Sequence, residues 1–137
     1  MTSEGYEGWI AFVAAQLGSD TTQHPAPDGS IYFTGGDPPL VIARVTRSTV
    51  TVWEYAATWE GGHNLAVVPV RIGSIVWRPL SESAAIAVVS TLIDAARESR
   101  LGKFRVCRFC NRRTPPELLH DDDVCQACAQ EHLGVVY

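Results

Sequence analysis

Four cysteines, all in the last quarter of the chain, constrain its fold more than any other feature. They form two Cys-x-x-Cys pairs, Cys107 with Cys110 and Cys125 with Cys128, and fourteen residues separate the pairs. Two pairs at this spacing supply four thiolates for the tetrahedral coordination of a structural Zn²⁺ ion. We therefore expect a zinc site that is filled entirely by protein ligands, so that the metal holds the fold and takes no part in chemistry.

Two other interpretations of this pattern remain open. A disulfide framework would use the same cysteines, although paired Cys-x-x-Cys motifs in a cytoplasmic protein favour metal. His132 lies four residues after Cys128 and could replace it as a ligand. With four cysteines already present, we expect His132 on the surface of a helix instead.

The composition is that of a globular protein with room for one hydrophobic core and a small metal-bound segment. The chain has 137 residues, of which 46% are hydrophobic and 19% are charged. Its start lacks the basic and apolar regions of a signal peptide, and no apolar stretch is long enough to span a bilayer. We therefore expect a cytoplasmic protein without a membrane partner. Ten arginines against one lysine indicate a GC-rich bacterial genome.

Hydrophobic periodicity predicts two helices, one before and one after a group of strands. The first helix has an apolar stripe and ends at Gly18, where a left-handed cap fits. The residues of this stripe are Tyr6, Trp9, Ile10, Val13, Ala14 and Leu17. The second helix runs from about Ser81 to Leu101, with Ser81 as the N-cap and Gly102 as the stop signal.

Four antiparallel strands are predicted between these helices, from runs of β-branched and aromatic residues separated by turn signals. They are residues 31–34, 40–46, 49–59 and 65–77. Residues 19–30 are polar and contain two prolines, so we expect a loop there. The predicted fold is α+β: helix, four-stranded antiparallel sheet and helix in a two-layer body over residues 1–102. The zinc-binding segment follows over residues 103–137 and is expected to dock on this body.

The segment from about residue 104 to residue 137 resembles a treble-clef zinc finger. Its first cysteine pair has the form of a zinc knuckle, in which the next residue often needs positive φ, and Asn111 suits that position. The residues after Cys128 favour a helix that Gly134 closes, whereas a second knuckle would be typical of a zinc ribbon. The resemblance implies a fold and a metal, and no activity.

Charge is distributed unevenly along the chain. The net charge is −4, yet residues 97–113 hold seven basic side chains and one acidic side chain. This basic segment could contact nucleic-acid phosphates, with an aromatic ring stacking on a base. The candidate contact residues are Arg105, Arg108, Phe109, Arg112 and Arg113. The same arginines could instead pair with the acidic body or with residues 121–123, and the acidic pI of about 5.5 argues against a nucleic-acid domain.

No catalytic motif is present, so we expect a protein that is not an enzyme. The treble clef is also the metal core of His-Asn-His nucleases, but His120 and His132 do not lie in a matching motif. A small acidic α+β body is similar in outline to bacterial immunity proteins and to secretion-chaperone-like domains, which act on other proteins. The predicted function is therefore binding of a protein partner, in an immunity, chaperone or adaptor role. Nucleic-acid binding is the alternative.

Overall fold

An antiparallel five-stranded sheet, with two helices packed on one face, forms the body of the protein. The computed structural model describes residues 2–137. The elements of the body are α1 Thr2–Leu17, β1 Thr21–Pro25, β2 Ile31–Gly35, β3 Val41–Val45, β4 Thr49–Glu54, β5 Ala57–Glu60, β6 Asn64–Val67, β7 Val70–Val76 and α2 Glu82–Gly102. The strands of the main sheet lie in the order β1-β2-β3-β4-β7, and β5 and β6 form a separate hairpin.

Both helices follow the apolar patterns of their sequences. The predicted left-handed cap of α1 is confirmed, because Gly18 has a φ of +95°. The predicted N-cap of α2 is also confirmed, because the hydroxyl of Ser81 accepts the N–H of Ala84. The buried stripe of α2 contains four apolar residues and then an arginine: Ala85, Val89, Ile93, Ala96 and Arg100.

One face of the main sheet forms the core with these helices. Alternate residues of the central strands are completely buried against α1 and α2. They include Phe33, Ala43, Val45, Val50 and Val52. The opposite face carries partly exposed side chains, among them Tyr32 and Trp53, whose rings stack with their centroids 6.2 Å apart. The body is therefore a two-layer α+β structure.

The main sheet has five strands, so the prediction of four is wrong. The additional strand is β1, which lies within the predicted loop over residues 19–30 and pairs antiparallel with β2. It is an edge strand whose side chains are mostly exposed, so no apolar alternation marks it in the sequence. Backbone pairing with β2 holds it in place.

Two of the predicted strands are interrupted. Residues 49–59 divide into β4 and β5, and residues 65–77 divide into β6 and β7. Pro69 lies at the second break and has no N–H with which to continue a ladder. In addition, β7 is an edge strand and its register with β4 shifts between Val52 and Trp53. The outer part of this long hairpin is therefore a two-stranded sheet of its own.

The rest of the chain contains short elements around the cysteines. They are β8 Arg105–Val106, β9 Arg113–Thr114, a 3-10 helix Pro116–Leu118, β10 Leu119–Asp121, β11 Val124–Cys125 and α3 Gln126–Leu133. β8 pairs with β9 and β10 pairs with β11, both antiparallel. None of the helices in the described part of the chain is long and apolar enough to cross a membrane.

Close approach of α1 to the sheet depends on Gly35. A Cβ added there would lie 2.8 Å from the Cβ of Leu17, so the Gly35→Ala variant should lose about 1–3 kcal/mol of unfolding free energy. A Cβ added at Gly8 in α1 meets no atom within 4 Å, so Gly8→Ala should gain about 0.5–1 kcal/mol. Urea unfolding curves measure both changes. Equal stability of the two variants would contradict this packing.

Candidate metal centre

The first cysteine pair lies in a tight turn between β8 and β9. The N–H of Cys107 donates to the carbonyl oxygen of Arg112 at 3.0 Å, and the N–H of Asn111 donates to that of Cys107 at 2.8 Å. Asn111 has a φ of +61°, which confirms the predicted positive φ at this position. Asparagine tolerates this conformation better than most residues, and the turn brings the thiols of Cys107 and Cys110 together.

The second cysteine pair lies at the start of α3. Cys125 is the N-cap, and its Sγ accepts the N–H of Cys128 at 3.5 Å. The N–H of Cys125 in turn points at the Sγ of Cys107, 3.4 Å away, so the backbone links the two pairs. Gly134 ends the helix with a φ of +68°, as the sequence predicts. The backbone N–H groups at the start of α3 are thus directed at sulfur atoms of the cluster.

The ligand atoms of the four cysteines form a compact cluster. All four Sγ atoms lie within 4.8 Å of one another, and those of Cys110 and Cys125 are 3.9 Å apart. Sulfur ligands in a tetrahedron around zinc, at about 2.3 Å from the metal, are about 3.8 Å from each other. The cluster therefore has the size of a mononuclear site, and the four cysteines could hold a metal ion. Four sulfur donors in a tetrahedral arrangement are typical of zinc.

The four thiols differ in their exposure and in their affinity for protons. Cys107 and Cys128 are buried, Cys125 is partly buried and Cys110 is exposed. Hydrogen bonds from the backbone N–H groups of Cys125 and Cys110 lower the pKa of Cys107 to about 6. Burial, together with hydrogen bonds to the other thiols, raises the pKa of Cys128 to about 12. Thiols this close cannot all ionise unless a cation supplies the compensating charge, and a divalent metal would do so.

A buried ion pair joins the metal-binding segment to the body. Arg100, in the last turns of α2, donates from both terminal nitrogens to the carboxylate of Glu117 in the 3-10 helix, at 2.9 and 2.7 Å. The side chains are only 2% and 5% exposed. Because the pair is bidentate and almost completely buried, the two side chains can adopt only a narrow range of relative orientations. Removal of either partner would leave the other as an uncompensated buried charge.

The other groups around Arg100 complete its interactions. Its Nε donates to the carbonyl oxygen of Pro39 at 3.1 Å. Its guanidinium lies 5.1 Å from the ring centroid of Tyr55 and 5.0 Å from that of Phe104. These contacts give the buried cation two aromatic neighbours and a third hydrogen-bond acceptor. Arg100 therefore contacts Pro39 and Tyr55 of the body, and Phe104 and Glu117 of the metal-binding segment.

The β5–β6 hairpin also rests on the metal-binding segment. The indole N–H of Trp59 donates to the carbonyl oxygen of Glu117 at 2.8 Å, and the side-chain amide of Gln126 donates to the same oxygen at 3.3 Å. Glu117 thus uses its carboxylate to bind α2 and its carbonyl to bind the hairpin and α3. The position of this one residue determines how three elements meet.

A second carboxylate fixes the end of α2 on the sheet. Glu54, which is almost completely buried in β4, accepts a hydrogen bond from Ser99 at 2.6 Å and pairs with Lys103 at 2.6 Å. Burial alone would raise the pKa of Glu54, but the hydrogen bonds from Lys103 and Ser99 hold it below its usual value. The carboxylate is therefore charged at neutral pH and anchors the helix just before the metal-binding segment begins.

Two of the arginines that are candidates for nucleic-acid contact donate hydrogen bonds to the end of α2. Arg105 donates to the carbonyl oxygens of Gly102 and Phe104, both at 2.9 Å, and Arg113 donates to that of Leu101 at 3.0 Å. Carbonyls at a helix end lack helical partners and carry the negative end of the dipole, so cations there are stabilising. Within the described residues, none of the arginines at 105, 108, 112 and 113 pairs with a carboxylate.

The remaining candidate contact residues lie on the surface of the metal-binding segment. The ring of Phe109 stacks on that of His132, with centroids 4.5 Å apart and planes at 10°. The guanidinium of Arg108 lies 4.9 Å from the Phe109 centroid. One face of Phe109 is therefore covered from within the protein. Arg112 is exposed, and its guanidinium has no hydrogen-bond partner among the described residues.

Comparisons of this chain with protein-family models, with curated proteins and with solved structures found no match. The function of the protein must therefore be inferred from its own geometry. The firmest part of that geometry is the cluster of four thiols within metal-binding distance, at the positions that the cysteine spacing predicts.

Three residues that position this site, namely Arg100, Glu117 and Trp59, are not predicted from the sequence. Arg100 did leave a signal, because it continues the buried stripe of α2 beyond Ala96, and a charged residue on such a stripe indicates a buried partner. Glu117 left none, since it follows two prolines in an irregular stretch and is buried only by docking. Trp59 lies in the predicted strand over residues 49–59, and the sequence does not indicate that its indole reaches the 3-10 helix.

The purified protein should contain one zinc ion per chain, and Cys110→Ser should lose most of it. Because metal binding is coupled to folding, amide hydrogen exchange over residues 105–133 should then become faster. Elemental analysis and exchange mass spectrometry measure the two effects. His132→Gln is the matched control and should retain the metal. A metal-free wild-type protein, with exchange unchanged in Cys110→Ser, would exclude a structural metal.

Arg100→Met should lower the unfolding free energy of the zinc-loaded protein by about 3–5 kcal/mol, because Glu117 is left buried without its partner. Asp94→Asn breaks the exposed pair with Arg97 on the same helix and should change it by less than about 1 kcal/mol. The double variant Arg100→Met, Glu117→Met should recover much of the loss. Denaturant unfolding at fixed free zinc tests this, and equal losses in Arg100→Met and Asp94→Asn would disprove the role of the pair.

Proposed function

We propose that this protein is a non-catalytic zinc protein that acts by binding a protein partner. We further propose that residues 103–137 form a treble-clef zinc finger. In support, the segment contains a cysteine knuckle between β8 and β9, a second hairpin of β10 and β11, and a helix that begins at the second cysteine pair. This is the order of elements that the treble clef requires.

The donor set supports a structural role for the metal. A zinc ion held by four cysteines has no open position for water or substrate, which catalytic zinc sites need. Two of these cysteines are buried, and hydrogen bonds within the site are directed at sulfur. When bound, the metal would link the two cysteine pairs. The protein residues around the site orient Glu117 toward the body.

The observation that carries the protein-partner proposal is an exposed apolar face on the β5–β6 hairpin. Trp59 pairs with Leu65 across the hairpin, and Ala57 pairs with Val67, so these side chains share one face. Trp59, Leu65 and Val67 are 40%, 42% and 49% exposed. We call these four residues the hairpin face. Contiguous exposed apolar residues are typical of protein interfaces, in which aromatic residues are enriched.

Three further apolar side chains are exposed close to the hairpin, and β5 contacts the 3-10 helix. Val68 and Val70, which follow in the chain, are 46% and 47% exposed, and Leu118 of the 3-10 helix is 42% exposed. Leu118 lies next to Glu117, whose carbonyl binds Trp59. A partner could therefore contact the body and the zinc-binding segment at the same time.

Nucleic-acid binding is the second candidate, and the exposed guanidinium groups of Arg108 and Arg112 favour it. Against it, Arg105 and Arg113 already hydrogen-bond to the end of α2, and Phe109 is stacked on His132. Single-stranded nucleic acid needs a track of cations with open aromatic rings. Fewer of these groups remain available than the basic sequence implies, so we prefer a protein partner.

The double variant Leu65→Glu, Val67→Glu should abolish partner capture from extracts of the source organism, because it places two charges in the apolar face. Thr58→Glu, an exposed position on the opposite side of the same hairpin, is the matched control and should capture the partner normally. Cross-linking with quantitative mass spectrometry measures the difference. Capture of the partner by the double variant would show that the proposal is wrong. So would capture of nucleic acid by the wild-type protein, if the variant Arg108→Gln, Arg112→Gln no longer captures it.

A further inference from the structure

A pocket with a volume of about 490 Å³ lies at one end of the body. Its walls come from the first turns of α1, from the first turns of α2 and from the segment that joins β7 to α2. Neither the metal-binding segment nor the hairpin face contributes a described wall, so the pocket is a separate feature. Its volume lies within the range of sites that bind small molecules.

Three aromatic rings line this pocket. The ring centroid of Trp9 lies 5.5 Å from that of Phe12, with the planes at 89°, and 6.0 Å from that of Trp77, with the planes at 39°. Trp9 and Trp77 also belong to the hydrophobic core, which holds their rings in place. Aromatic rings favour edge-to-face and offset contacts with other rings, so walls of this kind suit an aromatic molecule.

The wall that α1 supplies is open because it contains Gly8. A Cβ added at Gly5 would lie 3.1 Å from the ring of Trp77, whereas a Cβ added at Gly8 meets no atom within 4 Å. Close packing therefore explains the first glycine and does not explain the second. Glycine inside a helix lowers the stability of that helix. A larger side chain at Gly8 would occupy the pocket.

A hydrogen-bond donor faces the same space. The indole N–H groups of Trp59 and Trp77 donate to carbonyl oxygens, whereas that of Trp9 has no partner among the described residues. Trp9 is only 7% exposed. No completely buried side-chain nitrogen in the described part of the chain lacks a partner, so this N–H reaches open space, and the pocket is the open space that Trp9 borders. A ligand with an acceptor atom would complete its hydrogen bonding.

The charges at the rim of the pocket offset each other. Arg78 and Glu82 are the two charged residues among those described as lining it, and both are exposed. The Nε of Arg78 donates to the carbonyl oxygen of Arg47 at 2.6 Å, and its guanidinium lies 5.7 Å from the ring centroid of Trp77. A cationic ligand would therefore meet a cation at the rim, and an anionic ligand would meet a carboxylate. This arrangement favours an uncharged ligand.

We propose that this pocket binds a small uncharged aromatic molecule that carries a hydrogen-bond acceptor. The ring of the ligand packs against Trp9, Phe12 and Trp77, and its acceptor atom binds the indole N–H of Trp9. An aliphatic chain could fill the same volume, but it would leave that N–H without a partner. The site goes beyond the proposed function, because the surface proposed for the protein partner lies elsewhere on the molecule.

The zinc-loaded full chain and prodan, an uncharged naphthyl ketone with polarity-sensitive fluorescence, test this proposal. Prodan should bind saturably, and its emission should shift to shorter wavelength as it enters the apolar pocket. In proton–nitrogen correlation spectra, the indole signal of Trp9 should move to lower field, because its N–H gains an acceptor. The signal of Trp59, whose N–H is already bonded, should stay in place. Anilinonaphthalene sulfonate, an anionic probe of similar size, should bind more weakly.

Gly8→Leu should weaken prodan binding at least about tenfold, because the new side chain fills the pocket. Ala11→Leu is the matched control, since it adds a leucine at an exposed position of the same helix outside the pocket, and it should bind normally. The variant Leu65→Glu, Val67→Glu should also bind normally.

Three results would overturn the proposal. They are full binding by Gly8→Leu, an unmoved indole signal of Trp9 in the wild-type protein, and tighter binding of the anionic probe. Loss of prodan binding in Leu65→Glu, Val67→Glu would place the probe on the hairpin face and would also reject the pocket. Should Gly8→Leu fail to fold, the signal of Trp9 in the wild-type protein decides the question. Capture of the protein partner tests the proposed function separately.

Discussion

The buried ion pair between Arg100 and Glu117 is the interaction on which the arrangement of the whole molecule depends. Burial of a guanidinium costs free energy unless its neighbours compensate the charge. Besides Glu117, these neighbours include Pro39, Tyr55 and Phe104. Apolar contacts tolerate small shifts, whereas a bidentate pair has one geometry. We infer that the pair specifies a single docking of the metal-binding segment on the body.

The metal site and this docking depend on each other. The cysteine cluster brings the short hairpins and α3 together. These elements place Glu117 within hydrogen-bonding distance of Arg100. Without a folded segment, α2 would present a buried cation with no partner. A metal ion bound by the four cysteines would therefore stabilise the body as well, through the pair between Arg100 and Glu117. Such coupling is a physical reason for a protein of this size to keep a four-cysteine site far from its hydrophobic core.

The features that could be predicted from the sequence are those set by local chemistry. Ligand spacing predicted the cysteine cluster, helical periodicity predicted α1 and α2, and the knuckle pattern predicted the positive φ of Asn111. Features that depend on distant contacts were missed. The polar strand β1 exists because β2 pairs with it, and Glu117 is buried only after docking.

The contact between Trp59 and Glu117 closes a ring of interactions. The hairpin leaves the main sheet after Glu54 and touches the 3-10 helix, which binds Arg100 on α2, and α2 packs back on β4. Since each member is held from two sides, none can shift without breaking another contact. A surface built into such a ring is ordered before any partner arrives, so association loses little conformational entropy. Recognition by this protein would then resemble that of a rigid template more than that of an adaptable loop.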